Sequence, residues 1–552
     1  MECIKKVASI VMSLVFMISM AGCGGKTQVK NTAQEYVADT NLNEPGKFPV
    51  CKEKIKLTVG VAKNSNVADY DTNLYTKALE EKMNCDIEFV YLPSTATEAK
   101  QKVELMIAAD GKDLPDIIVG VNFDDAAILR YGSRGFLLPL NNYYEKSSYY
   151  IKEVMQKEPD LESFITMADG NIYVVPRYQK IRQNELGFRM WMYKPWLEKL
   201  GLKEPKTLDD FYNVLKAFKE KDPNGNGVAD EIPLLGAKNG FESQFADFIA
   251  AAFQPIAIYD NYLYPKNGKI KAGYVEPEYK EALKYLNKLY KEGLLSSSSF
   301  TQDTQQAQQT IQNPTGVLVG CFTSMAPTYL ANVSDRNNGY DIIAPLTQND
   351  GTGYIAYAPS KPENMFVVTK NCKYPEAAFR MADIMMSEEM SIWNRFGKPG
   401  TDWVEPSEGD KGMFESMGYS AKIKPILTWG VLQNSHWMQN APAYRSYDLS
   451  FATVDTGGNI YETRIAQHLP EYLEKMPKEY IAKVIYTEDE TKTMSEIQQN
   501  ITTYRKESVA SFIIGDMDIE KDWDSYLKEM KAIGVDELIK IVQTAYDRTN
   551  GK

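Results

Sequence analysis

The chain has 552 residues, of which 43% are hydrophobic, so it is long enough to bury the cores of two or three domains. Its 62 basic and 74 acidic residues give a net charge of −12, which leaves no basic field to hold a nucleic acid. The sequence contains two histidines, His436 and His468, which argues against histidine-rich metal sites and histidine-based catalytic triads.

The first segment has the features of an export signal. Lys5 and Lys6 precede an apolar run that ends at Ala21 and is too short to cross a bilayer about 30 Å thick. Met20, Ala21, Gly22 and Cys23 resemble a bacterial lipobox, which predicts a signal peptide over residues 1–22 and a lipidated Cys23. Two acyl chains at Cys23 would form a stable anchor at the extracellular face of a bacterial cell membrane. The alternative is an ordinary cleaved signal followed by a chance cysteine.

The stretch after the lipobox is polar and shows no apolar period. It predicts a flexible tether that, with the lipidated cysteine, covers residues 23–54. Four cysteines then belong to the exported body, where they either pair or stay as buried thiols: Cys51, Cys85, Cys321 and Cys372.

Strands and helices alternate in the first part of the body. Apolar residues at every second position predict a strand over Ile55–Val61, and further strands are predicted over Asp86–Tyr91 and Leu114–Val121. Helices are predicted over Thr72–Met83 and Thr97–Ala109. This order predicts a mainly parallel sheet covered on both faces, with ligands bound at the carboxyl ends of its strands.

A second α/β region is predicted after the hairpin-like segment Asp169–Tyr173. The patterns predict a strand over Gly187–Tyr193 and a surface linker or exposed helix over Ser296–Gln312. They also predict three helices, marked by capping residues, an initial proline or a terminal glycine: Pro195–Leu200, Thr207–Glu220 and Tyr279–Gly293.

The segment Asp222–Pro233, DPNGNGVADEIP, has the oxygen spacing of a calcium loop. Gly227 permits the sharp turn, and the candidate ligands are Asp222, Asn224, Asn226, the Val228 carbonyl, Asp230 and Glu231. An EF-hand carries a bidentate Glu at loop position twelve, where this chain has Pro233, so Glu231 would close the set. The alternative is a solvated acidic turn. A bound Ca²⁺ would fasten the loop and have a structural role.

Segments spread over nearly the whole mature chain resemble one family in the same order. They include, besides the lipobox and the calcium-like loop, GKDLPDIIVG (Gly111–Gly120), GFLLPL (Gly135–Leu140), DGNIYVVP (Asp169–Pro176), FRMWMYKPWLEKLGL (Phe188–Leu202), TLDDFYNVLKAFK (Thr207–Lys219), EYKEALKYLNKLYKEGL (Glu278–Leu294), YPEAAFRMADIMMSEE (Tyr374–Glu389), GKPGTDW (Gly397–Trp403) and the tail Phe512–Arg548. The family is that of the family-1 extracellular solute-binding lipoproteins of bacterial carbohydrate ABC importers, in particular the long lipoproteins similar to alginate-binding proteins.

The resemblance implies a type II periplasmic-binding-protein fold, in which two discontinuous α/β lobes joined by a hinge close on a saccharide. The expected lobes are residues 55–175 plus about 355–425, and 176–354 plus about 426–552. It also implies a monomer that delivers its ligand to ABC transporter permease subunits, and a structural calcium in the loop described above. Members often carry Asp where this chain has Pro195, a change that leaves the start of the helix intact.

A saccharide site needs flat aromatic rings for the CH faces of the sugar and polar side chains for its hydroxyls. Trp196 and Trp523 lie in amphipathic helical segments and are expected in the core. The other tryptophans are either cleft residues or buried packing. The candidates for ligand contact are Arg177, Trp191, Trp393, Asp402, Trp403, Trp429, Asn434, Trp437, Tyr444 and Arg445. The stretch Trp429–Arg445 also contains His436, Gln439 and Asn440, and His436 is either a contact or a hydrogen-bonded neutral imidazole.

The rival class is an enzyme, a secreted glycoside hydrolase or polysaccharide lyase. A glycosidase needs two carboxylates about 5 to 9.5 Å apart, and no pair stands out from the local sequence. The chain also lacks a GxSxG elbow and a P-loop. We therefore predict a binding protein without catalytic residues. A structural or adhesion lipoprotein is a third possibility.

Overall fold

The computed structural model describes Tyr36 and residues 38–238, 245–325, 339–427, 429–452 and 460–550. The predicted signal peptide, Cys23 and the first part of the predicted tether, residues 24–35 with residue 37, lie outside these residues. Ala38–Lys552 forms one compact unit. Over the described ranges, no helix combines the length and the apolar character needed to cross a membrane.

The strands are short, and most of them belong to two larger sheets. In chain order they are β1 Ile55–Ala62, β2 Cys85–Leu92, β3 Ile117–Phe123, β4 Val174–Gln179, β5 Met190–Tyr193, β6 Ile232–Leu235, β7 Ile256–Ala257, β8 Leu263–Lys266, β9 Lys269–Ala272, β10 Val319–Thr323, β11 Tyr340–Ile342, β12 Ala356–Tyr357, β13 Glu363–Val368, β14 Trp403–Val404, β15 Ala421–Pro425, β16 Ala443–Arg445 and β17 Ser450–Phe451.

The helices cover the faces of these sheets. They are α1 Leu74–Met83, α2 Ala96–Ala108, α3 Asp125–Ser133, α4 Asn141–Lys146, α5 Tyr150–Lys157, α6 Leu161–Ile165, α7 Arg182–Glu185, α8 Lys194–Leu200, α9 Leu208–Glu220, α10 Phe245–Ala250, α11 Pro277–Lys291, α12 Thr304–Ile311, α13 Pro375–Met385, α14 Glu388–Phe396, α15 Ile460–Glu474, α16 Glu488–Ile514, α17 Trp523–Ile533 and α18 Val535–Thr549.

The first sheet has the order β16-β4-β13-β3-β1-β2. The pairs β1–β2, β1–β3 and β4–β16 are parallel, whereas β13 is antiparallel to both β3 and β4. The second sheet has the order β11-β5-β10-β6, in which β10 is parallel to β6 and antiparallel to β5. Parallel strands place the carboxyl ends of β1, β3, β4 and β16 at one edge of the first sheet, as the sequence predicts.

The buried apolar residues form two separate clusters, one around each large sheet. We call the parts of the chain around them the first lobe and the second lobe. The chain leaves the first lobe between Tyr178 and Leu186 and returns to it between Ala358 and Phe366. The predicted α/β fold with two discontinuous lobes is therefore confirmed.

The two clusters differ from the predicted lobe boundaries after residue 354. Trp437 and Ala441 were expected in the second lobe and are buried in the first, whereas Ala356 and Phe414 were expected in the first lobe and belong to the second. The chain crosses between the lobes more often than two long segments per lobe allow. A segment that passes between the lobes has buried apolar residues on both sides of it. The hydrophobic pattern alone therefore does not show where the chain passes from one lobe to the other.

The end of the predicted tether is part of the first lobe. Leu42, Val50 and Cys51 are buried, and the Val50 and Cys51 amides donate to the carbonyls of Lys82 (2.9 Å) and Met83 (3.0 Å). The prediction of a tether as far as residue 54 is wrong for this stretch. Its apolar residues are too widely spaced to show a helical or strand period, yet they reach the core through a long-range pairing.

The predicted elements before residue 312 are found with their ends shifted by a few residues. α9 begins as expected, because the Thr207 side chain accepts from the Asp210 amide and Asp210 accepts from the Thr207 amide in a capping box. Where the sequence left a linker or a helix open, over Ser296–Gln312, the structure has a 3₁₀ turn followed by α12. α12 forms because Asp303 caps it and because Ala307 and Ile311 are buried on one face.

Candidate functional site

Arg177 lies at the carboxyl edge of the first sheet, where the sequence predicts a ligand. Its Nε and Nη2 atoms donate to the two carboxylate oxygens of Glu363 over 2.7 and 2.8 Å. Glu363 is the first residue of β13 and is paired directly with Arg177 of β4. The third guanidinium nitrogen, Nη1, donates to the Gln439 carbonyl over 2.5 Å. A bidentate ion pair thus fixes the edge of the sheet to a loop from much later in the chain.

The loop that holds Gln439 packs closely on the sheet. Met438 and Gln439 have positive φ angles of 53° and 63°, a strained conformation for residues other than glycine. Gly120 in β3 also has a positive φ of 76°, and a Cβ at that position would lie 3.1 Å from the Asn440 side chain. A glycine is needed there because the loop approaches the strand so closely.

Trp429 forms the exposed part of the same region, with 42% of its surface accessible. The guanidinium carbon of Arg395, near the end of α14, lies 3.3 Å from the centre of its ring. The His436 imidazole is almost parallel to the indole, with ring centres 5.8 Å apart and an interplanar angle of 6°. Trp429 therefore has aromatic and cationic neighbours that hold its orientation while an edge of the ring faces solvent.

Arg445 joins these groups, and its Nη1 atom donates to the Gln439 side-chain oxygen over 3.4 Å. We call the set of Arg177, Arg395, Arg445, Trp429, His436 and Gln439 the arginine–tryptophan cluster. Burial lowers the pKa of Arg445 to about 9, with further contributions from Arg395 and Arg177. Burial and then Arg395 lower the pKa of His436 to about 4, so its ring is neutral at pH 7. Its Nδ1 accepts from the Met438 amide over 3.1 Å.

The structure separates the predicted tryptophans into two groups. Trp191, Trp393 and Trp437 are buried, with 0%, 8% and 0% of their surfaces exposed, so the packing alternative describes them. Their indole nitrogens donate to the Ser324 carbonyl (3.0 Å), the Ser435 carbonyl (2.9 Å) and the Thr76 hydroxyl (2.9 Å), respectively. Trp403 is partly exposed, and its indole donates to the Gly397 carbonyl over 3.0 Å.

Three polar candidates hold loops in place. Asp402 accepts from the Ser435 hydroxyl and, over 2.6 Å, from the Lys398 amide. Asn434 accepts from the Asp69 amide over 3.1 Å, which ties it to the segment before α1. Tyr444 donates its hydroxyl to Glu158 over 2.7 Å. None of these three belongs to the arginine–tryptophan cluster.

In the second lobe, side chains at the start of β5 hold the backbone that follows β10. Trp191 and the buried Arg189 bind the backbone directly after β10, since Arg189 donates to the Met325 carbonyl over 2.7 Å. Residues 239–244 and 326–338, which follow β6 and β10, lie outside the described part of the chain. Arg177 and Arg445 of the cluster belong to strands β4 and β16 of the first sheet.

Sequence reasoning missed the residue that joins the crossing segments. Glu185 is 2% exposed, and one of its carboxylate oxygens accepts from the Ser360 amide (3.1 Å) and the Tyr447 hydroxyl (2.6 Å). Its backbone carbonyl accepts from the Ala358 amide over 2.9 Å. Glu185 thus connects three segments that pass between the lobes. Glu363 and Arg395 were also missed, because their partners Arg177 and Trp429 are more than 30 residues away in sequence.

The calcium-like loop is closed by its own polar groups. The Asp222 carboxylate accepts from the amides of Gly225, Asn226 and Gly227 over 2.9 to 3.1 Å. The side-chain amides of Asn224 and Asn226 donate to Asp230 over 2.8 to 3.1 Å, and the Val228 carbonyl accepts from the Asp230 amide over 3.0 Å. In this arrangement the side-chain amide N–H groups are the hydrogen-bond partners of the Asp230 carboxylate.

Glu231 is the exception in this loop. Its Oε2 atom is buried and has no hydrogen-bond partner among the described residues. Burial raises its pKa, and the nearby carboxylates of Asp222 and Asp230 raise it further. Across the described ranges, no three His, Cys, Asp or Glu side chains converge as a ready-made metal cluster. The all-oxygen donor set and the unpartnered Glu231 oxygen nevertheless fit a hard cation, provided that the two asparagine amides rotate.

The fold and the arginine–tryptophan cluster indicate a class of protein. Comparisons with known proteins identify this class. The family of bacterial extracellular solute-binding proteins matches residues 64–391, and the chain belongs to this family. The predicted family resemblance is therefore confirmed.

Curated relatives cover most of the chain at low identity. The fructooligosaccharide ABC transporter substrate-binding protein FusA of Streptococcus pneumoniae is 24% identical over 98% of this chain and 97% of its own. The polygalacturonan/rhamnogalacturonan-binding protein YtcQ of Bacillus subtilis is 23% identical over 85% of this chain and 87% of its own. Both are named as binding proteins, and FusA as the substrate-binding protein of an ABC transporter.

Solved structures show the same fold. FusA in complex with kestose superposes with a TM-score of 0.70 at 23% identity, covering 90% of this chain and 99% of that one. A solute-binding protein from Bifidobacterium longum infantis that binds human milk oligosaccharides superposes with a TM-score of 0.74 at 22% identity over the same fractions.

Proposed function

We propose that this protein captures an oligosaccharide between its two lobes and delivers it, unaltered, to the permease subunits of an ABC importer. The observation that carries the proposal is the arginine–tryptophan cluster at the carboxyl edge of the first sheet, next to the crossing segments. Membership of the solute-binding family and the saccharide ligands named for FusA and YtcQ support the ligand class.

The chemistry of the cluster suits a saccharide. Guanidinium groups donate two parallel hydrogen bonds, which match neighbouring hydroxyls or a carboxylate on a sugar ring. The exposed part of Trp429 offers an apolar surface for the CH groups of the sugar. We assign the principal contacts of the first lobe to Trp429, Arg177, Arg395 and Arg445. Trp191, Trp393 and Trp437 support the site from within the cores.

Closure follows from the position of the hinge. Glu185 holds the three crossing segments together beside the cluster, so the lobes can rotate about them without breaking either core. A saccharide that touches both lobes favours the closed form by the free energy of its contacts with the second lobe. The closed form then offers the surface that the permease recognises.

We further propose that the protein works as a monomer on the extracellular face of the membrane, anchored through lipid on Cys23. The lipobox supports the anchor, and the name of a relative, lipoprotein LipO of Bacillus subtilis, is in accord with it. We also propose that Ca²⁺ binds the Asp222–Glu231 loop through Asp222, Asn224, Asn226, the Val228 carbonyl, Asp230 and Glu231. The ion would neutralise three neighbouring carboxylates and so fasten the turn between α9 and β6.

A binding experiment with chemical analysis of the bound sugar tests the proposal. Purified protein is screened by thermal shift against fructooligosaccharides, oligogalacturonides and monosaccharides, because a ligand that binds only the folded state raises its melting temperature. The ligand that shifts the temperature is then incubated in labelled form and recovered. One-to-one retention of intact sugar is the expected result. Release of shortened products would establish a hydrolase or lyase, and no shift with any saccharide would refute capture.

A further inference from the structure

A second cavity lies in the second lobe and shares no residue with the arginine–tryptophan cluster. It has a volume of about 230 Å³ and opens between the 3₁₀ turn Ile258–Asp260, α16 and α18. This volume suits a small metabolite, whereas clefts for larger ligands span about 300 to 1,000 Å³. An oligosaccharide is therefore too large for it.

The charge of the cavity is opposite to that of the protein. Arg505 and Lys506 line it, and its lining includes no acidic residue. The whole chain carries 74 acidic residues against 62 basic ones. Two adjacent cations in a lining without acidic residues create a local positive potential, which attracts a small anion, although the buried Asp247 lies near Arg505 and offsets part of its charge.

Arg505 has hydrogen-bonding capacity left for a ligand. Its guanidinium carbon lies 3.8 Å from the centre of the Tyr262 ring, and the Tyr279 hydroxyl is a hydrogen-bond partner. A guanidinium has five N–H donors. Within the described part of the chain, no carboxylate forms a salt bridge with Arg505. Asp247, the nearby buried acid, instead accepts from the Tyr262 hydroxyl over 3.0 Å.

The rim of the cavity is strained on the side facing Arg505. Asn261 and Tyr262 have consecutive positive φ angles of 53° and 63°. A tyrosine keeps this sparsely populated conformation only where the surrounding structure imposes it. Here the turn places the Tyr262 ring against the Arg505 guanidinium, and both side chains line the cavity.

We propose that this cavity is a second ligand site, which binds a small organic carboxylate. Arg505 would hold the carboxylate through two parallel hydrogen bonds, and Lys506 at the rim would add a second positive charge. Thr502 and Gln498 line the wall as further polar partners. Ile501 and Leu538 supply apolar surface for the carbon skeleton, which a bare inorganic oxyanion would leave unused.

Isothermal titration of the purified protein with succinate tests the site. Succinamide serves as the uncharged control of the same shape, and inorganic phosphate as the oxyanion control, all at one ionic strength. The expected result is saturable one-to-one binding of succinate and none of succinamide. The proposal is refuted by the absence of saturable succinate binding at millimolar concentrations, by equal binding of succinamide, or by binding of phosphate alone.

Variants locate the binding within the chain. Arg505→Gln is expected to weaken succinate at least tenfold, because hydrogen bonds to a charged group are worth about 1.5 to 3 kcal/mol. Since Arg505 also packs on Tyr262, the exposed Lys506→Gln provides a variant that leaves the fold intact, with an expected two- to fivefold loss. Lys528→Gln, an exposed lysine on α17, is the matched control and should bind like the parent. Unchanged affinity in both Arg505→Gln and Lys506→Gln would overturn the assignment.

Discussion

Replacing Trp429 and Trp437 separately distinguishes a ligand contact from a core residue. A tryptophan buries up to about 250 Å² of surface, and 42% of Trp429 is exposed, so about 100 Å² is available to a sugar. If a pyranose covers about half of it, burial at about 25 cal/mol per Å² gives about 1.3 kcal/mol, and ring stacking adds a fraction of a kcal/mol. Trp429→Ala should therefore weaken saccharide binding about 5- to 30-fold.

Trp437→Ala should lower the stability of the fold and leave saccharide affinity almost unchanged. The residue is 0% exposed, and its ring contacts Tyr70, Tyr75 and Phe89 with centre distances of 5.3 to 6.0 Å. The cavity left behind should lower the free energy of unfolding by about 3 to 5 kcal/mol. Saccharide affinity of the folded fraction, measured by titration calorimetry at low temperature, should change little. Unchanged affinity in Trp429→Ala, with its unfolding curve intact, would remove this ring from the site and refute the reasoning.

The other predictions concern the Asp222–Glu231 loop, the His436 imidazole and the contact of Lys483 with Asp125 between the lobes. Glu231→Gln should lower the melting temperature in calcium, yet leave or raise it in chelator, because it removes one of three repelling carboxylates; equal losses in both buffers would indicate a plain turn. The pKa of His436 is about 4 when folded and about 6.5 when unfolded, so the unfolded chain takes up the proton first as pH falls, and about 2 kcal/mol of stability should be lost between pH 7 and 5. Asp383, with a pKa raised to about 6 by burial, has the opposite effect in parent and variant alike, so the test is the difference between the two proteins: as the pH falls from 7 to 5, the melting temperature of His436→Gln should rise relative to that of the parent, and equal changes in both would contradict the assignment. Lys483 extends from the second lobe to Asp125 of the first (3.1 Å), so Lys483→Met should favour a more open form by about 1 to 2 kcal/mol; an unchanged radius of gyration in X-ray scattering of the ligand-free protein would contradict it.

Local pattern was sufficient for most of the elements in the first part of the chain and led to a proposed position of the site. The alternation along β1 and the capping box at Thr207 are decided by neighbouring residues, so a single sequence reveals them. The direction of the strands then fixes which edge of the sheet carries ligands, and Arg177 was predicted there for that reason.

Local pattern could not decide which tryptophans face the cleft. Trp429 and Trp437 lie eight residues apart in the same polar and aromatic stretch, yet one is 42% exposed and the other is buried. The difference arises from Thr76 and the rings of α1 and β2, more than 340 residues earlier, which enclose Trp437. Such long-range partners produce no recognisable pattern in the sequence around the residue itself.

The distinction between local pattern and long-range contacts also determines which properties the relatives share with this protein. Relatives at 22 to 24% identity preserve strand order and lobe architecture, which depend on apolar pattern and tolerate substitution. The ligand depends on a few polar contacts assembled from separate segments, such as Arg177 with Glu363 and Gln439. One substitution among these changes the hydrogen bonds offered to a sugar while the fold persists. Specificity must therefore be established from the arginine–tryptophan cluster of this chain by binding measurements with its own variants.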